Sequence, residues 1–307
     1  MQKEQTQPEL LLEDGALRDG LQSESQILST AQKIELFHLL RGAGVQRIQV
    51  GSFVSPKVMP QMADTDELVR CLGQQQGTVI SALILNGKGL DRALACGVGH
   101  VGMSVSISDS HSKKNAGRSA TEALAAMVEL IASAKSQGLT VRAGLQSAFG
   151  CVYEGTIAPE VVVAAAVKMA AAGAEEINLA DSTGMATPVT IRSLVRRVAE
   201  AVPRVRLSLH LHDTRGLGLA NMFCGYEEGV RTFDVCAGGL GGCPFIRGAV
   251  GNVPTEDAVN LFESMGIATG ISLDSLLGAV TFLEEALHRP LPGRMKRVFA
   301  HQRSCAL

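Results

Sequence analysis

The sequence has few aromatic residues and no tryptophan: Phe, Tyr and Trp together make up 4% of 307 residues. Surfaces that stack nucleic-acid bases or sugars depend on aromatic side chains, so the composition argues against both kinds of site. A dominant charge is also missing, since the net charge is −2 and the isoelectric point is about 6.4. This balance predicts no general attraction to nucleic acid or to a membrane, and the ligand must be inferred from a local site.

Long hydrophobic runs are absent as well. The longest apolar stretch, residues 161–174, is rich in alanine and interrupted by Lys168, unlike a membrane-spanning helix. The first residues, MQKEQTQPE, lack the apolar core of a signal peptide. The seven cysteines are an odd number without close spacing, which favours free thiols over disulfides. We therefore expect a cytoplasmic protein.

The sequence does contain a regular alternation of short β-type runs with helical stretches rich in alanine and leucine. Helix starts are marked by Ser29 with Gln32 as a capping box, by Thr187 before Pro188, and by Thr255. Eight runs fit β-strands, and they begin at Leu10, Val45, Thr78, His100, Thr140, Glu176, Arg206 and Thr232. Eight β–α units in a chain of this size predict a (β/α)8 TIM barrel, an α/β fold.

A doubly wound open sheet is the alternative architecture. It would be expected to carry a G-x-G-x-x-G after its first strand, and this chain has none there. We expect a single TIM-barrel catalytic domain over residues 1–307, with the barrel at about 10–268. Residues from about 271 to 307 should form a helical C-terminal extension docked on the barrel.

In a TIM barrel the chemistry gathers at the carboxyl ends of the strands. Arg18 and Asp19 follow the first predicted strand, and Asp181 follows the sixth. The seventh strand, R-L-S-L-H-L-H, places His210 and His212 on the same face, because side chains alternate along a strand. These polar groups should therefore meet at one mouth of the barrel.

The histidine pair and Asp19 indicate a metal site. Two imidazoles, a carboxylate and an amide oxygen such as that of Asn252 form a mixed nitrogen and oxygen set, which suits Mg²⁺ or Mn²⁺. Zinc would usually recruit a thiolate or a third histidine, and Asp213 is placed to orient the cluster. The alternative is a half-exposed pair of strand histidines without a metal. The barrel and Asp19 together favour the metal.

Four segments resemble 3-hydroxy-3-methylglutaryl-CoA lyases, which are metal-dependent TIM-barrel acyl-CoA lyases. They are L-R-D-G-L-Q-S-E, S-F-V-S-P-K-V-M-P-Q-M-A-D, H-L-H-D-T-R-G-L-G-L-A-N and A-G-G-L-G-G-C-P-F-I-R-G-A-V-G-N, in the family's order. The likeness extends from about Leu12 to Leu291. It implies a TIM barrel, a bound divalent cation and a CoA thioester as substrate.

The resemblance also implies roles for individual residues. The implied metal ligands are Asp19, His210, His212 and Asn252. The implied catalytic residues are Arg18 as stabiliser of the enolate, Asp181, and Cys243 or His210 as proton donor. The implied substrate-binding residues are Gln22 and Gln49, with Lys113, Lys114 and Asn115 for the phosphates of CoA.

Some of these residues have plainer interpretations. Cys243 could be an inert buried thiol, although its place in a glycine-rich segment fits a mobile lid. Asp181 could simply turn a loop, and residues 113–115 could be a solvated basic loop.

The implied reaction is a retro-aldol (Claisen-type) C–C cleavage of a 3-hydroxyacyl-CoA. Its first substrate candidate is 3-hydroxy-3-methylglutaryl-CoA, which would give acetyl-CoA and acetoacetate. Two departures favour a different acid end: residues 14–20 read D-G-A-L-R-D-G rather than E-V-G-P-R-D-G, and Gln49 replaces a glutamate. (R)-Citramalyl-CoA, giving acetyl-CoA and pyruvate, is therefore the alternative substrate.

Two other functional classes stay open at this point. One is a Claisen-type acyltransferase resembling citramalate synthase, and the other is a non-catalytic, metal-binding relative. In each case the expected partner is a small molecule, with no nucleic acid and no membrane. We also expect a homodimer or a higher homo-oligomer.

Overall fold

The eight predicted strands form a closed parallel barrel in chain order, in a computed structural model that describes residues 9–242 and 251–305. The strands are β1 (Leu11–Asp14), β2 (Arg47–Ser52), β3 (Val79–Leu83), β4 (His100–Ser106), β5 (Thr140–Gln146), β6 (Glu176–Ala180), β7 (Arg206–His210) and β8 (Thr232–Val235). Strand β1 closes the barrel on β8, with Leu11 opposite Thr232. The predicted TIM barrel is confirmed, and the doubly wound open sheet is excluded.

Helices alternate with the strands around the barrel. They are α1 (Thr30–Gly42), α2 (Thr65–Leu72), α3 (Gly87–Ala95), α4 (Asp109–Ala116), α5 (Ala120–Ser136), α6 (Pro159–Ala171), α7 (Pro188–Ala201), α8 (Gly218–Glu227), α9 (Thr255–Ser264), α10 (Leu273–Leu287) and α11 (Arg294–Cys305). In the described part of the chain, none of them is both long and apolar enough to cross a membrane.

The starts of α1 and α7 follow the sequence signals. The Ser29 side chain accepts the backbone N–H of Gln32, whose own side chain accepts the N–H of Ser29, which is a complete capping box. Thr187 caps α7 in the same way, with Thr190 as its partner. Helix α9 begins one residue earlier than the sequence predicts: Thr255 is its first residue and not its cap. The Thr255 hydroxyl instead donates to Asp14 (2.6 Å).

The chain after the barrel is helical, as expected. Helix α10 packs against α1 and α9, which flank the first and last strands, and its buried leucines extend the apolar layer outside the barrel. Helix α11 packs on α9. The division into one barrel domain with a C-terminal extension remains a prediction.

Candidate metal centre and active site

The turn after β1 is a short π-helix, Ala16–Gly20, which carries Arg18 and Asp19 at the mouth of the barrel. Asp14 supports this turn, because its carboxylate accepts the backbone N–H groups of Ala16 (2.8 Å) and Ala237 (3.0 Å). Single π-turns occur frequently at functional sites, where they redirect side chains. The R-D-G segment therefore presents a guanidinium and a carboxylate together.

The two histidines lie against this turn. Strand β7 ends at His210, and His212 follows in an isolated β-bridge with Asn252. The Nε2 atoms of the two imidazoles are 3.1 Å apart, and His210 Nε2 is 4.0 Å from Asp19 Oδ2. One ligand atom each from Asp19, His210 and His212 lie within 4.8 Å of one another. The three side chains therefore lie close together, as the sequence predicts.

The electrostatics of this cluster suit a cation. Burial, and then the neighbouring His210, lower the pKa of His212 to about 3, so its imidazole is neutral and able to ligate a metal. Burial alone would raise the pKa of Asp19, but Arg18 and the two histidines hold it well below its ordinary value. A charged carboxylate beside a neutral imidazole is a donor set that fits a divalent cation.

Asn252 lies beside Asp19, but its amide nitrogen, rather than its oxygen, faces the cluster. The Asn252 Nδ2 donates to Asp19 Oδ2 (2.7 Å) and to the backbone carbonyl of Leu240 (3.1 Å). The carbonyl can only accept, so these bonds fix the orientation of the amide. The predicted ligation through the Asn252 oxygen is not seen in this arrangement and stays a prediction.

Arg18 is held from two sides. Its Nε donates to Gln49 Oε1, and its Nη1 pairs with Asp19 Oδ1. Gln49 lies on β2 next to an irregularity in the β2–β3 register between Gln49 and Gly51, and bulges of this kind re-aim side chains. Gln22 is more weakly placed, with its Nε2 at 3.4 Å from Asp19 Oδ1. Gln49 thus keeps a hydrogen bond to Arg18 without a negative charge of its own.

Asp181, predicted as an acidic catalytic residue, is fully buried after β6. Its two carboxylate oxygens accept the backbone N–H groups of Met185 (2.8 Å) and Ala186 (3.0 Å), which shape the loop. Burial raises its pKa to about 6 against these hydrogen bonds and the nearby Arg215. The contacts match a loop-turning role, and the catalytic role stays a prediction.

The residues predicted to bind CoA phosphates lie on α4, which follows the carboxyl end of β4, and all three are exposed. Lys113 pairs with Asp109 (2.6 Å), and Lys114 Nζ lies 3.6 Å from the centre of the Tyr153 ring. Asn115 Nδ2 is 2.7 Å from His111 Nε2. They are not among the residues that line the small cavity at Asp19. The predicted proton donor, Cys243, falls outside the described residues.

Sequence reasoning missed a group of charged side chains immediately below the candidate metal cluster, which consists of Asp19, His210 and His212. Glu13, Arg47, Arg142, Glu176 and Asp234 fill the barrel interior and pair with one another. We call these five residues the buried ion cluster. A signal was available, since five strands that must be buried each carry at least one charged residue beside apolar neighbours.

The chain is similar over most of its length to proteins named as lyases of CoA thioesters. An (R)-citramalyl-CoA lyase of Chloroflexus aurantiacus is 40% identical over 289 residues, which cover 91% of each chain. The crystal structure of an HMG-CoA lyase from Bacillus subtilis superposes with a TM-score of 0.92 at 35% identity, covering 96% of this chain and 99% of that one. An HMG-CoA lyase of Acinetobacter baumannii, solved with coenzyme A and 3-methylmalate, gives 0.88 at 36% identity and 94% coverage of both chains.

These relatives are named as lyases of CoA thioesters, so the predicted family resemblance and the predicted enzyme class, a carbon–carbon lyase, are both confirmed. The HMGL-like family model matches residues 9–282, which is most of the chain. The chain belongs to the HMGL-like family.

Proposed function

We propose that this protein is a divalent-metal-dependent lyase that cleaves a carbon–carbon bond in a 3-hydroxyacyl-CoA. The observation that carries the proposal is the meeting of Asp19, His210 and His212 beside Arg18 at the mouth of the barrel. The relatives named as acyl-CoA lyases, and the one solved with coenzyme A, support a CoA thioester as substrate. We infer Mg²⁺ or Mn²⁺ as the cation from the mixture of imidazole and carboxylate donors.

Asp19, His210 and His212 would hold the cation, which when bound lowers the pKa of a coordinated hydroxyl group and eases removal of its proton. Transfer of that proton to a nearby base lets the hydroxyl carbon become a carbonyl while its bond to the acetyl unit breaks. The electron pair of that bond passes to the acetyl thioester as an enolate. Protonation of the enolate carbon then gives acetyl-CoA.

Arg18 is the residue placed to stabilise the enolate. Its guanidinium is oriented by Gln49 and Asp19 before substrate arrives, and a fixed cation stabilises developing negative charge without reorganisation. Cys243 is the proposed proton donor to the enolate carbon, and His210, the alternative donor, is proposed to serve the cation instead. Asp181 is proposed to shape the loop after β6, because both of its oxygens are engaged by backbone N–H groups.

The acid end of the substrate is proposed as 3-hydroxy-3-methylglutaryl first, with (R)-citramalyl as the alternative. Relatives named for each activity are similarly identical to this chain, 40% for a citramalyl-CoA lyase and 36–39% for two hydroxymethylglutaryl-CoA lyases. Gln49 is the observation in favour of citramalyl-CoA. A neutral amide beside Arg18 leaves more of the guanidinium charge for a carboxylate held directly on the hydroxyl carbon.

The test is product analysis with both thioesters under identical conditions, with and without a chelator. Acetyl-CoA with acetoacetate identifies the first substrate, and acetyl-CoA with pyruvate identifies the second. Loss of the observed activity on chelation, and its return with Mg²⁺ or Mn²⁺, supports the metal dependence. Turnover of neither thioester with either metal would refute the proposal.

An acyltransferase is distinguished from the proposed lyase by an assay for free CoA in the direction of carbon–carbon bond formation. Such an enzyme would release free CoA from acetyl-CoA and pyruvate, whereas a lyase of the proposed type releases none. The cytoplasmic location and the homo-oligomeric state are proposed from sequence alone.

A further inference from the structure

The buried ion cluster crosses the barrel just below the metal cluster. Its members come from five strands: Glu13 (β1), Arg47 (β2), Arg142 (β5), Glu176 (β6) and Asp234 (β8). Arg47 binds Glu176 through two hydrogen bonds of 3.0 Å, and Arg142 pairs with Glu13 (3.1 Å) and Glu176 (3.0 Å). Three carboxylates face two guanidiniums, so the cluster has one negative charge in excess.

Two contacts connect the cluster to the residues of the active site. Asp234 Oδ2 is 3.1 Å from His210 Nδ1. Glu13 Oε1 accepts a hydrogen bond from Gln49 Nε2 (3.2 Å), and Gln49 in turn accepts from Arg18. Arg142 is common to both routes, because it pairs with Asp234 as well as with Glu13.

The contact with Asp234 determines which nitrogen of His210 carries the proton. A carboxylate paired with Arg142 has no proton to donate, so it must accept one from Nδ1. Nε2 is then left with its lone pair, on the side that faces His212 Nε2 and Asp19 Oδ2. His212 has no corresponding partner, since its buried Nδ1 makes no hydrogen bond among the described residues.

We propose that Asp234 is a positioning residue that holds His210 in the Nδ1-protonated form, with Nε2 directed at the cation, and that Arg142 anchors Asp234. Partners of this kind fix the ring orientation of a metal-ligating histidine and increase its basicity. The inference rests on the proposed metal site but not on which acyl group is cleaved.

Glu176 offers a matched control. It belongs to the same buried ion cluster and pairs with both arginines, but within the described residues it forms no hydrogen bond or ion pair with His210 or Asp19. Glu176→Gln therefore removes one negative charge from the same cluster while leaving the Asp234–His210 contact intact. Asp234→Asn removes a charge of the same sign from the contact itself.

The experiment is titration of the metal-free protein with Mn²⁺, by calorimetry, for the wild type and both variants. Asp234→Asn should bind Mn²⁺ about 10–100-fold more weakly, while Glu176→Gln should keep the wild-type affinity even if it unfolds at lower temperature. Wild-type Mn²⁺ affinity in Asp234→Asn would overturn this inference but leave the proposed metal site in place. Absence of Mn²⁺ binding by the wild type would overturn the proposed metal site and this inference with it.

A second measurement needs no folded Asp234 variant. In metal-free protein labelled with ¹⁵N-histidine, long-range ¹⁵N–¹H NMR distinguishes Nδ1-protonated from Nε2-protonated imidazole. The His210 signal is identified by its loss in His210→Ala. An Nδ1-protonated ring supports the inference, and an Nε2-protonated ring contradicts it, whatever the activity of the enzyme.

Discussion

Replacing Gln49 by glutamate tests the hydrogen-bond network around Arg18 most directly. Gln49 accepts from Arg18 Nε and donates from Nε2 to Glu13 Oε1 at 3.2 Å, and only one orientation of the amide satisfies both partners. A carboxylate at this position could still accept from Arg18. It would have no proton for Glu13, and two buried carboxylates would face each other.

The expected cost follows from these contacts. At a separation of 4 Å and an effective dielectric constant near 20, two unit charges interact by about 4 kcal/mol. The repulsion from Glu13 and the new attraction to Arg18 are of this same size and opposite sign, so they largely cancel. The net cost is then the lost hydrogen bond from Gln49 Nε2 to the charged Glu13, which is worth about 1.5–3 kcal/mol. Taking about 2 °C per kcal/mol for a large domain, Gln49→Glu should lower the Tm by about 3–6 °C.

The assay is thermal unfolding followed by circular dichroism or calorimetry at neutral pH. Its control is the double variant Glu13→Gln/Gln49→Glu, which exchanges the carboxylate and the amide and restores a donor–acceptor pair between the two positions. The double variant should be more stable than the sum of the two single effects predicts, because the pair is in direct contact. A Tm for Gln49→Glu equal to or above that of the wild type would refute the reasoning, and so would strict additivity in the double variant.

Three further changes have expected outcomes. His212→Ala should abolish Mn²⁺ binding, and unchanged metal content by elemental analysis would count against the ligand assignment. Cys243→Ala should lose lyase activity while keeping the wild-type Tm, and full turnover would leave Cys243 without a catalytic role. Burial raises the pKa of Glu256 from 4.5 to about 8, so the folded protein keeps this proton while the unfolded chain releases it. Stability should therefore fall as the pH rises between these values, by on the order of 3–5 kcal/mol, and a flatter Tm profile from pH 5 to 8 in Glu256→Gln is the check.

The fold could be predicted from sequence because its signals are local. Each strand is a short β-type run, and the caps at Ser29 and Thr187 need only three neighbouring residues to form. Thr255 shows how a local signal can fail to predict a helix cap. Its sequence context is that of a helix cap, but Asp14 attracts its hydroxyl from the far end of the chain. A partner 241 residues away leaves no trace in the neighbouring sequence.

The meeting of the side chains in the candidate metal cluster was predictable for a related reason. Alternation along a strand puts His210 and His212 together, and barrel topology puts the end of β1 beside them. The orientation of Asn252 was not predictable, because it depends on the carbonyl of Leu240. The contact from Gln49 to Glu13 depends equally on the relative placement of two strands, which sequence spacing does not contain.

The buried ion cluster calls for an explanation other than stability. Removing charges from water costs several kcal/mol for each ion, and well-packed apolar residues are often as stable in their place. A barrel interior is normally filled by branched apolar side chains. Here five charged residues take that position, in the layer where Asp234 contacts His210 and Glu13 contacts Gln49. Both contacts end on groups that need a fixed direction, an imidazole lone pair and a guanidinium. We therefore propose that orientation of the site offsets the free energy lost in burying these charges. Apolar replacements of the cluster should preserve the barrel, measured by circular dichroism, while weakening Mn²⁺ binding in the calorimetric titration.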